Sequence, residues 1–158
     1  MTEEQQFTTF LDNELDCLQD LLTALNQEYN ALTGTDVEAL ENATLGKNNA
    51  LAKQAEATIA RQNFVITTNG KNAAEIELTK LITKYSNQTQ LSATLNQLHT
   101  AAEQCQTANR TNGKLILQKQ QYTRNALDIL RQADSKPSTY SGQGDTVTKN
   151  EGRILGKA

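Results

Sequence analysis

LSATLNQLHTAAEQCQTANRTNGKLILQKQQYTRNALDIL, residues 91–130, decides the fold. Its apolar positions run Leu91, Leu95, Leu98, Ala102, Cys105, then Asn109 and Asn112, then Ile116, Lys119, Thr123, Leu127 (or Ala126) and Leu130. The steps alternate between four and three for about forty residues, the spacing of a coiled-coil seam. Two asparagines stand where leucines are expected, and Gly113 follows at once. Asn-Gly can end one helix and begin another, but such a break shifts the phase, and here the phase is kept. The reading is one continuous helix. Gly113 then costs ~1 kcal/mol against Ala. A buried Asn costs stability too, yet can fix register and pairing. A small residue there also leaves room for another backbone.

Working outward, residues 3–32 carry Phe7, Leu11, Leu15, Leu18, Leu22, Leu25, Tyr29 and Leu32, one face of an amphipathic helix. Gly34 reads as its stop, and Thr35 with Glu38 as a capping box for the next helix. That second helix spans about residues 36–67, with a narrow seam of Val37, Leu40, Leu51, Ala55, Ile59 and Ile66. Asn69-Gly70 marks a turn. Ile76, Leu78, Leu81, Ile82 and Tyr85 form a third apolar stretch, interrupted by Ser86-Asn87-Gln88. Whether residues 74–86 join the long helix stays open at this stage. From Asp134 the pattern stops, and residues 134–158 hold the only Pro and four of the eight Gly. Such a tail buries too little surface to offset its ordering entropy and is expected to be flexible.

The fold expected is therefore all-α: an antiparallel helical bundle, coiled-coil-like, with a long last helix. The domain division expected is a bundle over 1–133 and a docking tail over 134–158. With 158 residues, one Pro, no Trp and few β-branched runs, sheets are not expected. Residues 1–46 hold ten acids and no Lys or Arg, while all fifteen Lys and Arg follow. The acidic part is either a solvated face or the attractor of a later, basic helix packed antiparallel to it. The overall charge of −3 argues against general nucleic-acid binding.

No apolar run is long enough to cross a membrane, and MTEEQQFTTF has no secretory character, so a cytoplasmic protein is expected. Cys17 and Cys105 form no CxxC pair and read as free, partly buried thiols. The one histidine, His99, has no evident base or nucleophile partner. No phosphate loop, dinucleotide fingerprint, nucleophile elbow or zinc motif occurs. The expectation is a non-enzyme with no metal and no cofactor.

Off the main seam, Leu115, Tyr122, Ala126 and Ile129 make a second stripe on the last helix. A helix with two apolar stripes has two neighbours. Either both lie within the bundle, or one stripe docks an amphipathic helix of another protein, with Arg110, Lys114, Lys119, Arg124 and Arg131 as rim. A structural protein that self-associates through this helix is the alternative.

NGKLILQKQQYTRNALDIL, followed by a short linker, TYSGQGDT and a terminal GRILGKA, resembles the FlgN family of flagellar type III export chaperones. The matching pieces are Asn112, Gly113, Leu115 and Ile116; then Ala126, Leu127, Ile129 and Leu130; then Tyr140, Gly142 and Gly144. Ser141 departs from the family's usual Gly. The resemblance covers about the last third of the chain. It implies a cytoplasmic chaperone, a monomer or weak homodimer, that holds the hook–filament junction proteins FlgK and FlgL unassembled. Their C-terminal amphipathic helices would bind at Asn112, Leu115, Ile116, Tyr122, Ala126 and Ile129. By the same resemblance Tyr140, Gly142 and Gly144 dock on the export gate protein FlhA. In that setting Asn109, Asn112 and Gly113 would weaken self-packing and favour exchange of a neighbour for a client helix.

Overall fold

The computed structural model describes residues 1–70 and 78–134. They form four helices: α1 (Glu3–Thr33), α2 (Val37–Asn69), α3 (Leu78–Ile82) and α4 (Gln88–Asp134). No strand occurs among the described residues. The chain divides into two compact units, residues 1–120 and 121–158.

Local chemistry sets the helix ends. Thr2 and Gln5 exchange side-chain and backbone bonds in a capping box at the start of α1, satisfying two otherwise orphaned N–H groups. Gly34 closes α1 through its N–H to the Asn30 carbonyl. The cap of α2 is Asp36, whose carboxylate accepts from the Ala39 N–H at 3.1 Å, so the Thr35–Glu38 box does not form. An aspartate one residue nearer the helix is the better-placed acceptor. Gly70 ends α2 at φ +89°, a conformation that favours glycine. Residues 74–77 lie outside the described residues. From 78 on, α3 stops at Ile82, turns fill 83–87, and α4 starts afresh at Gln88.

In the first unit, α2 runs back along α1. Phe10 meets Phe64, Glu14 meets Arg61, and Glu28 meets Lys47. α2 is not a basic helix, since Glu38, Glu41 and Glu56 balance Lys47, Lys53 and Arg61, yet two of its cations meet acids of α1. The long helix instead lies parallel to α1. The Cys105 thiol donates to the Leu18 carbonyl at 3.3 Å, and the Asn112 amide to the Leu25 carbonyl at 2.9 Å. Both pairs step by seven, the repeat of a coiled coil in register. Lys119 continues the contact with its ammonium on the Gly34 carbonyl at 3.0 Å.

The core follows from that register. Phe7, Leu11, Leu18, Leu21, Leu25 and Leu32 of α1 are buried, and Leu91, Leu95, Leu98 and Cys105 of α4 pack with them. Ala101 and Ala108 fill the intervening places on α4, whereas Ala102 and Asn109 are exposed. Asn109 is therefore no part of the seam. At one end Phe7 stacks between Phe64 and Tyr85, with ring centroids 6.2 and 5.6 Å away. There the Tyr85 hydroxyl donates to Glu3, and the Ser86 hydroxyl and Asn87 N–H donate to Glu4.

Two glutamates occupy core positions of α1. Glu14 takes Arg61 and the Thr58 hydroxyl; Glu28, 1% exposed, takes Lys47 at 2.6 Å and Asn112 at 2.9 Å. A buried carboxylate needs such partners. This requirement turns α2. With Lys47, Thr58 and Arg61 facing inward beside Ala50, Ala57 and Val65, the line expected as its seam faces out. Val37, Leu51, Ala55 and Ile59 are exposed, Leu45 with them, and Leu40 and Ile66 are half-buried.

Candidate binding surface

The continuous helix expected through Asn112-Gly113 is present, since α4 spans 47 residues without interruption. Its last part is where apolar side chains meet solvent. Leu115 and Ile116 are half-buried, and every residue from Leu117 to Asp134 is exposed. Tyr122 is 75% exposed and Ile129 67%, with Leu117, Leu127 and Leu130 also open. Leu115, Tyr122, Ala126 and Ile129 lie on one helix face by their spacing, and Leu130 widens it. Arg124 and Arg131 lie on the opposite side of the helix, nearer Leu127. Within the second unit the backbone of residues 121–134 is helical, and Gln121 bonds Asn125 one turn on at 2.8 Å.

Asn112 is placed differently from the rest of the expected set. It is 1% exposed, and its side-chain nitrogen donates to Leu25 and Glu28 of α1. Its Oδ1 has no hydrogen-bond partner. In this conformation it ties α4 to α1 rather than opening a gap. A Cβ added at Gly113 would meet nothing within 4 Å, so no backbone crowds that glycine. Tyr140, Gly142 and Gly144 lie outside the described residues.

The alternating pattern puts Leu127 (or Ala126) and Leu130 on the inward seam, whereas all three are exposed. The signal that could have placed them is length. α1 has 31 residues and α4 has 47, so a parallel pair exhausts the shorter helix first. A second apolar surface, the outward line of α2, was not anticipated at all.

Chemically reactive features are few. Cys17 and Cys105 are free; burial pushes both thiols up, with Asp20 and Asp16 adding to the effect at Cys17. His99 is exposed on α4. Among the described residues no group of His, Cys, Asp or Glu could hold a metal ion. No described helix is long and apolar enough to cross a membrane.

A helical bundle that presents an apolar helix face and binds through it defines a class of adaptor and chaperone proteins. The family model described as FlgN protein matches residues 1–148, and the chain belongs to that family. The family carries a flagellar export chaperone role. Comparison with curated proteins and with solved structures finds no match.

Proposed function

We propose that this chain is a cytoplasmic chaperone for the hook–filament junction proteins FlgK and FlgL, binding their C-terminal amphipathic helices and delivering them to FlhA. The observation that carries the reading is the exposed Tyr122, Ala126 and Ile129 on α4, in line with the half-buried Leu115 and beside Ile116. Apolar side chains at helical spacing suit a partner helix with an apolar stripe. Asn112 joins this surface only if α4 and α1 separate around it, because its amide faces α1. Residues 1–133 act as the holding domain. Residues 134–158, with Tyr140, Gly142 and Gly144, act as the segment that docks on FlhA.

The test is calorimetric titration with peptides from the C-termini of FlgK and FlgL, beside a Leu115→Ala/Tyr122→Ala/Ile129→Ala variant shown to be folded. Binding at micromolar or tighter affinity with a negative heat-capacity change, lost in the variant, supports the reading. Binding that survives in the variant moves the site elsewhere on the chain. No binding by the wild type sinks the client assignment.

A further inference from the structure

The seam between α1 and α4 has two sides. On one, Glu14, Leu18, Leu98 and Ala102 share a hollow with Gln54 and Arg61 of α2. On the other lie two adjoining hollows of about 400 and 470 Å³, and the described residues that line them belong to α1 and α4. Leu15 and Ala101 floor the first, Ala108 the second, and Leu22 is common to both. Amides and hydroxyls form the walls: Gln19, Gln97 and Gln104 in the first, Asn26 and Thr107 in the second. Among the described lining residues Glu103 alone carries a charge.

The hollows repeat with the helices. Leu15 and Leu22 are seven residues apart, as are Ala101 and Ala108. Holes one heptad apart, ~10 Å at ~1.5 Å per residue, take successive knobs of a helix. An extended strand repeats its side chains about every 7 Å on one face and does not match. The trough is open along its length and cannot bury most of a small ligand. Its lines run on in the same steps, Leu22 to Tyr29 on α1 and Ala108 to Leu115 on α4. Tyr29 is 43% exposed, and Leu115 is already part of the surface assigned to the client.

We propose that this trough seats the client helix against α1 as well as α4, as the third helix of a coiled coil, with apolar residues at heptad spacing in the hollows and uncharged polar residues at its flanks. A charged flank would be buried among amides without a counter-ion. The inference rests on the client reading and adds α1 and the flank chemistry to it.

The experiment uses the full chain and the client peptides of the calorimetric test. A photo-crosslinking amino acid replaces Gln19 or Gln104, on the two walls of the first hollow, or Ala52, exposed on α2, as control. Crosslinks to peptide from both walls and none from Ala52 are expected. Two variants at the same exposed positions, Gln19→Lys/Gln104→Lys and Gln19→Glu/Gln104→Glu, are shown to be folded by circular dichroism. Each should bind at least about tenfold more weakly, whatever the sign of the added charge. Peptide binding by the wild type without a crosslink at Gln19 overturns the proposal and leaves the client reading standing. So does unchanged affinity in both variants, or tighter binding in either. No binding by the wild type removes both readings together.

Discussion

The two ends of the first unit are built by different physics. At one end Phe7, Phe10, Phe64 and Tyr85 close around Leu91 and Ile82, and the stabilisation is apolar burial. At the other, Glu28 is shared between Lys47 of α2 and Asn112 of α4, a polar junction of all three helices. Apolar contacts hold a helix without fixing its register; a donor and acceptor that must meet hold it at one register. The lesson is that the aromatic end supplies strength, while the polar end fixes which residue lies beside which.

The sharpest way to break that contrast is Phe7→Ala. Its side chain is fully buried, and the loss is expected at about 3–5 kcal/mol in urea unfolding. Glu28→Leu comes next, at about 3 kcal/mol, because Lys47 and Asn112 are left half-buried and buried without their acceptor. Adding Lys47→Met and Asn112→Leu to it should restore the unfolding midpoint to the wild-type value or above, as replacement of a whole buried polar cluster by apolar groups often does. If instead the triple variant stays as weak as Glu28→Leu, the junction contributes strength and the contrast fails. Gly113→Ala should stabilise by about 1 kcal/mol, since the added methyl meets nothing.

The smallest effect concerns pH. Burial, and the hydrogen bond the phenol donates to the Glu3 carboxylate, push Tyr85 well above its ordinary range. A folded-state pKa above the unfolded one gives stability that is complete below the unfolded value, about 10, and is lost as pH rises past it. Tyr85→Phe should therefore flatten the fall in urea midpoint above about pH 10. An unchanged slope would show that the aromatic end titrates through another group.

Much of this was readable from spacing. The heptads of α1, the turn at Asn69-Gly70 and the unbroken run through Gly113 follow from period and phase. The orientation of α2 did not. Apolar residues are read as inward, and only the three-dimensional pairing shows that two buried glutamates require Lys47 and Arg61 inside. The phase of α4 around residues 101–109 was ambiguous for a simpler reason. Ala101 and Ala102 are the same residue type, so nothing in the pattern chose between them, and Asn109 inherited the wrong side. On the late part of α4, the stripe of Tyr122, Ala126 and Ile129 follows from the spacing, and all three are exposed. Leu127 and Leu130 were missed because periodicity says that a face is apolar, not that a neighbour is long enough to cover it.

The parallel arrangement of α1 and α4 has one more effect. Aligned peptide dipoles place partial positive charge at each helix start, and here two such starts lie side by side. Glu3 and Glu4, in the first turn of α1, serve both. Glu4 accepts the Asn87 N–H at 2.7 Å just before α4 begins, and Glu3 holds Tyr85. The opening residues of the chain are thus the electrostatic terminus of a helix that starts more than eighty positions later. A cationic fusion placed before Thr2 would act on both helices at once.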